Sequence, residues 1–505
     1  MCECPEFPLL QCGQMTGCRL ALVILIAAVS HAQELRVSSG VVNSQVFQRG
    51  PDGMATIRLS GTATGKKING HEVLARLQGP GGVPVAKFDW KPLAQVQKTR
   101  WDGDLSGIPV GGPYRLDLRL QDSPAVVSFT DLLVGDLWIL AGQSNMEGLG
   151  DLVDAQSPSP LVHSFDMADR WVLAEEPLHT LVNATDAVHW PPNSDQVPEK
   201  WTGQKLDQYL ANRRKGAGPG LPFAVEMAKR TEVPIGLLPC AHDGTSLEQW
   251  DPALKNVGGD SLYGSMLRRF RATGGRVRGV LWYQGESDAN PKAAPLFEER
   301  FRKFVQAIRA DFNEPKLPFY YVQIGRTANP ANPQHWNAVQ LAQLRSESEI
   351  PYVGMAAAVD LTLDDAIHVD TQDLKRVGIR LSNLACHDLF PRKQNCVSLK
   401  RGPHPESATL TGNIIRVTFS GVNGRLLAEG RLAGFSLQGP DDAPLAMLYK
   451  ARLDPADPNG VLLYIQGNLP MDTRVWYGQG KDPYCNLHDE ADMAAPVFML
   501  PVQKP

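Results

Sequence analysis

The chain has 505 residues, 43% apolar and 21% charged, the make-up of a globular protein with enough apolar material for more than one core. Its 50 lysines and arginines stand against 54 aspartates and glutamates, a formal net charge of −4. Nothing in that balance recommends a nucleic acid or an anionic membrane surface as partner.

Residues 1–32 are read as a secretory signal. Arg19 precedes the ten-residue apolar run Leu20–Val29, and Ser30-His31-Ala32 supplies a small-x-small cleavage site before Gln33. The run is too short to span a bilayer, and Met15 makes a more typical signal start than Met1. Removing the signal discards Cys2, Cys4, Cys12 and Cys18 and leaves Cys240, Cys386, Cys396 and Cys485. The expected compartment is secreted or periplasmic, where disulfides are permitted. Cys386 and Cys396 are near enough to close a short loop, but spacing leaves a bridge and free buried thiols equally open.

From residue 33 to 131 the pattern alternates with period two. Tyr114–Leu120 sets four apolar side chains on one face and three charges on the other, and Gly50-Pro51-Asp52-Gly53, Gly79–Gly82 and Gly111-Gly112-Pro113 mark turns. An N-terminal β-sandwich is expected.

From residue 132 to 400 the period changes. Buried strands are predicted at Leu132–Leu140, Val233–Pro239, Val277–Tyr283, Leu317–Ile324 and Pro351–Val359. Helices are predicted at Pro222–Arg230, Ser261–Arg271, Ala293–Phe312, Gln334–Ser348 and Gln372–Asp388. Alternation of this kind implies an α/β fold with a parallel sheet covered on both faces. Gly150–Pro219, rich in Pro, Asp, His and Trp, is read as a long irregular insertion near the site, with His163, His179 and His189 as solvated loop residues. Short strands return over 405–505, at Ile414–Phe419, Val461–Ile465 and Arg474–Tyr477, as a C-terminal β domain.

The segments that follow the strands carry the chemistry. They are Gly142-Gln143-Ser144-Asn145-Met146, His242-Asp243-Gly244-Thr245-Ser246, Trp282-Tyr283-Gln284-Gly285-Glu286-Ser287-Asp288 and Asp364-Asp365-Ala366-Ile367-His368. In a parallel sheet all four emerge at one edge. Acyl transfer needs those parts: Ser144 as nucleophile, His368 as base, and Asp365 to hold the second ring nitrogen. The oxyanion would be met by the N–H groups of Ser144 and Gly244, with the Gln284 amide reaching in. Asp243 is expected to point away, because a carboxylate beside an oxyanion disfavours it.

These motifs resemble the SGNH hydrolase superfamily and, within it, the sialate O-acetylesterase-like carbohydrate esterases. The resemblance rests on Gly-Gln-Ser-Asn-Met at 142–146, Asp-Gly-Thr-Ser-Leu-Glu-Gln-Trp at 243–250, Trp-Tyr-Gln-Gly-Glu-Ser-Asp at 282–288 and Asp-x-x-His at 365–368. It implies a flavodoxin-like three-layer α/β/α SGNH domain flanked by small β domains, and removal of acetyl groups from sugar hydroxyls without metal or cofactor. Asn145, Glu286 and Trp250 are expected to contact the substrate, an acetylated carbohydrate. Other readings compete. Glu286 reads as a buried structural carboxylate rather than the acid of a retaining glycosidase, which needs two carboxylates and leaves Ser144 unexplained. The Asp360–Asp370 cluster reads as a metal site. Trp138, Trp190, Trp201, Trp250, Trp282 and Trp336 read as sugar-stacking or core residues, and His242 as a rival base or a hydrogen-bonded loop residue. A deacetylase of xylan or pectin, or a non-catalytic glycan-binding protein, would use the same scaffold.

Overall fold

The computed structural model describes residues 33–504, so the signal expected over 1–32 lies outside it. The central element is strand β1, Val127–Gly142. Its residues alternate between two cores. Leu132 and Val134 pack with the N-terminal strands, whereas Leu133 and Leu137–Ala141 enter the core of the α/β unit. Side chains of successive strand residues point to opposite faces, so one apolar run serves both.

The strand's first half pairs antiparallel with Gly111–Leu120, which in turn pairs with Glu72–Gln78. A second antiparallel sheet of Glu34–Ser39, Met54–Thr64 and Arg100–Pro109 closes over the same N-terminal core. The second half of β1 is parallel to its neighbours on both sides.

After β1 come the one-turn helix α1 (Ser144–Glu147), β2 (Val162–Phe165) and β3 (Trp171–Leu173). Then follow α2 (Gly203–Asn212), α3 (Gly220–Thr231), β4 (Ile235–Pro239), α4 (Leu262–Ala272) and β5 (Gly279–Tyr283). The unit ends with α5 (Phe297–Asp311), β6 (Phe319–Gln323), α6 (Pro333–Glu349), β7 (Val353–Ala357) and α7 (Thr371–Leu389). The strand order is β3-β2-β4-β1-β5-β6-β7, all parallel except the edge strand β3.

Successive residues of β6 show that both faces are covered. Phe319 and Tyr321 touch Phe301 of α5, and the Tyr321 hydroxyl donates to Gln343 O of α6. Tyr320, between them, stacks near Trp138 and donates to Asp388 of α7.

All five strands and five helices expected over 132–400 are present, with ends shifted by a few residues. The 150–219 segment is more ordered than its composition suggests. It adds β2 as a sixth parallel strand, in register with β4, and the helix α2. Four residues with His163 and Ser164 in the middle offer no apolar run, which is why β2 escapes a periodicity search.

The C-terminal segment forms a seven-stranded sheet around a third core. It is docked on the α/β unit. Gln323 at the end of β6 donates to Val497 O and accepts from Val497 N–H, and Asp492 pairs with Arg376 and Arg380 of α7. Cys386 and Cys396 form a disulfide, while Cys240 and Cys485 are buried free thiols.

Candidate active site

The chain enters β4 and β5 on either side of β1, so the carboxyl end of β1 is where crossovers diverge, the position at which open α/β sheets leave a crevice. Ser144 sits there. Gly142, at φ 129°, makes the turn possible: a Cβ on it would lie 2.2 Å from Tyr283 O of the neighbouring strand. The turn is pinned by Gln143 N–H to Tyr283 O at 2.9 Å, and Gln143 O accepts from Met146 and Glu147. Ser144 as a residue is 5% exposed. Among the described residues its hydroxyl has no protein hydrogen-bond partner, and neither its own N–H nor that of Gly244 has a protein acceptor. Gly244, at φ 64°, occupies the left-handed region in the turn after β4.

His368 and Asp365 meet in the loop after β7. The ring Nδ1 lies 2.7 Å from Asp365 Oδ2, and Asp365 Oδ1 accepts from the N–H groups of Ile367 and His368 at 2.9 Å. Burial pushes the Asp365 carboxyl up, but the ring and the two N–H groups outweigh it and hold it down to about 2. The imidazole Nε2 has no protein partner among the described residues.

β7 does not adjoin β1: β5 and β6 lie between them. Emergence at one sheet edge therefore does not by itself bring the two loops together. The His368 loop reaches back across the sheet, and Asn145 holds it. The Asn145 amide donates to Glu286 Oε1 at 3.0 Å while its oxygen accepts from Val369 N–H at 3.1 Å. The residue after Ser144 is thus clamped to the residue after His368. Among the described residues no direct hydrogen bond joins Ser144 to His368.

Several expected roles change. Asn145 is 2% exposed, and its amide oxygen and one amide hydrogen are engaged within the protein, so it acts as a clamp between the two loops. Glu286 accepts from Asn145, and burial raises its carboxyl's pKa, which fits the structural reading. Trp250 is fully buried, edge-on to Trp282 and Phe304, with its Nε1 donating to Thr245 Oγ1; it supports the loop after β4 and cannot reach a sugar. Gln284 is also fully buried. Its amide donates to Asp288 Oδ2 at 2.6 Å and Thr245 O at 3.2 Å, so it ties two loops together and offers nothing to an oxyanion. Trp138, Trp282 and Trp336 are core.

Asp243 has a side chain 58% exposed, directed outward, while its N–H donates to Glu147 Oε2 at 2.8 Å. Glu147 was not singled out from sequence. Burial, then the nearby Asp243 charge, raises its carboxyl to about 8. The only sequence signal was its place one helical turn from Ser144. His163, His179 and His189, read as solvated, are buried. His163 Nδ1 lies 2.7 Å from Ser44 O, and His179 Nε2 accepts from Ala241 N–H. Desolvation lowers the pKa of all three, that of His179 to about 3. The carboxylates of the 360–370 cluster are separately engaged: Asp360 with Arg376 and Arg380, Asp364 with Lys215, and Asp370 as the cap of α7.

A parallel α/β sheet with a serine free of hydrogen-bond partners at its central edge, and a carboxylate-held imidazole on a loop clamped to the next residue, has the build of an ester hydrolase. Residues 134–387 match the family model described as carbohydrate esterase, sialic acid-specific acetylesterase, and the chain belongs to that family of carboxylic ester hydrolases. Among curated relatives, a probable carbohydrate esterase of Arabidopsis thaliana is 28% identical over 286 residues, covering 52% of this chain and 94% of its own length. The human sialate O-acetylesterase is 24% identical over 441 residues, 79% of this chain and 78% of its own. In fold, the chain is similar to a carbohydrate acetylesterase from Xanthomonas citri, with TM-score 0.63 and 21% identity, covering 92% of this chain and 99% of that one.

Proposed function

We propose that this protein removes O-acetyl groups from carbohydrates, in the manner of a sialate O-acetylesterase, through an acyl-enzyme on Ser144. The observation that carries the reading is the clamp: Asn145 and Val369 join the serine turn to a loop whose imidazole is already paired with Asp365. Ser144 Oγ attacks the acetyl carbonyl and passes its proton to His368 Nε2. Asp365 keeps the ring in the Nδ1–H tautomer and stabilises the imidazolium. The N–H groups of Ser144 and Gly244 receive the oxyanion, each such donor supplying about 10²–10³ in rate. The imidazolium returns its proton to the departing sugar oxygen, and a water activated by His368 then releases acetate.

The three cores support a division into an N-terminal β-sandwich (33–131), a three-layer SGNH-type domain (132–400) and a C-terminal β domain (405–505). Export is supported by the apolar run before Gln33 and by the Cys386–Cys396 bridge, since such bridges persist in oxidising compartments. Among the described residues no helix is long and apolar enough to cross a membrane.

The test is Ser144→Ala against a chromogenic acetyl ester. Turnover should fall by at least roughly 10³-fold with the fold intact, and a fluorophosphonate should label the parent at Ser144 and not the variant. Unchanged turnover would remove the proposal. Product analysis on acetylated sialic acids, xylan and pectin then separates the carbohydrate classes.

A further inference from the structure

A second set of imidazoles lies beside the serine turn and takes no part in the mechanism above. His242 Nδ1 is 3.1 Å from His189 Nδ1, and the two rings stack at 5.3 Å between centroids. His189 Nε2 is 3.2 Å from Ser265 Oγ, which donates to Asp186 Oδ2 at 2.6 Å. Asp186 is in turn gripped by Arg268, whose Nε and Nη2 lie 2.7 and 2.8 Å from its two oxygens. His189, Ser265 and Asp186 are buried, at 2%, 0% and 6% exposure.

With both rings neutral, counting protons along this chain leaves one solution. Ser265 has a single hydroxyl hydrogen and gives it to the Asp186 carboxylate, an acceptor only. Towards His189 it must therefore accept, so His189 Nε2 carries a hydrogen. A neutral His189 then has a bare Nδ1, and the contact to His242 requires that His242 Nδ1 be the donor. The second nitrogen of His242, Nε2, is left as a lone pair. Burial lowers the pKa of both rings and so favours the neutral forms, while the Asp243 carboxylate acts the other way on His242.

His242 adjoins the proposed active site through its backbone. The His242 N–H donates to Gly142 O and the Asp243 N–H to Glu147 of α1, so residues 242–244 run along the serine turn. Asp243 Oδ1 lies 3.7 Å from Nε2, on a side chain that is mostly exposed. Two acceptors face each other there without a hydrogen between them, and a hydroxyl donor satisfies such a pair.

We propose that His242 is a specificity residue: its bare Nε2, with the Asp243 carboxylate, accepts hydrogen bonds from free hydroxyls of the acetylated sugar, in a tautomer fixed from Asp186 through Ser265 and His189. This rests on the reading of Ser144 as the nucleophile. His189 and Ser265 are positioning residues that act through His242.

Nitrogen-15 NMR of the imidazoles, in the whole protein, reads the tautomer directly. The parent should show His242 protonated at Nδ1 and bare at Nε2, and Ser265→Ala should give a mixture, because His189 is then free to reverse. Kinetics reads the consequence. In His242→Phe the ratio of kcat/KM for an acetylated sugar to that for an aryl acetate should fall roughly tenfold, mostly through KM. His242→Gln, whose amide oxygen can replace Nε2 as acceptor, should restore most of the ratio and guards against simple misfolding. A proton on His242 Nε2 in the parent, or equal losses on both esters in His242→Phe, overturns the proposal. Failure of the esterase reading would appear separately, as turnover that survives Ser144→Ala, and would leave the NMR result as it stands.

Discussion

At the scale of single residues, two carboxyls are driven in opposite directions. Asp365 is held down to about 2 by the His368 ring and two backbone donors, so it stays ionised throughout the working range. Asp365→Asn should lower kcat by roughly 10²- to 10⁴-fold, through loss of the tautomer and of imidazolium stabilisation. Its melting temperature should fall only modestly, because Asn keeps an acceptor for the two N–H groups and the side chain is 45% exposed. Glu147 runs the other way, from an ordinary 4.5 to about 8. The folded state holds a proton that the unfolded chain releases, so this group's contribution is complete below about pH 4.5 and is lost as pH rises towards 8. Glu147→Gln keeps an acceptor for Asp243 N–H and removes the titration. The melting-temperature difference between variant and parent should therefore grow in the variant's favour from pH 5 to pH 8, as scanning calorimetry can check.

Between elements, the site depends on loops that brace one another. The turn after β4 is tied to the turn after β5 by Gln284 and by Asp288, which accepts from Leu247 N–H. The loop after β7 is hooked to α1 by Asn145 alone among the described side chains of that helix. Asn145→Ala leaves the Val369 N–H and a Glu286 oxygen without their partner, at a cost of about 1–3 kcal/mol. Urea unfolding should show that loss. Turnover should fall as well, because the base-bearing loop then loses its tie to the serine turn. A retained kcat would mean that the loop needs no clamp.

In the whole molecule, the flanking strands act as buttresses. β1 threads from one core into the next, and the tail reaches the base-bearing loop through Thr327, whose N–H donates to Lys481 O while its hydroxyl donates to Ala366 O. The Cys386–Cys396 bridge closes a loop just beyond the end of α7. With about ten residues enclosed, the chain-entropy model assigns it roughly 2–3 kcal/mol. Cys386→Ser/Cys396→Ser should lose that much in denaturant unfolding, with kcat little changed because the bridge lies at the far end of α7 from the site.

Much was legible in the sequence because it is written locally. Apolar runs of strand length alternating with amphipathic stretches announced the parallel sheet. Gly142-Gln143-Ser144-Asn145 and Asp365-x-x-His368 carry their chemistry within four residues each. What neighbouring residues cannot encode is whether a polar group meets solvent or a partner distant in the chain. Tertiary packing alone decided that Trp250 and Gln284 turn inward, that three histidines of the 150–219 segment are buried, and that Asn145 spans 224 positions to hold Val369. A buried amide or imidazole is tolerated only where the fold supplies its hydrogen-bond partner, and that partner is chosen by three-dimensional proximity rather than by spacing along the chain.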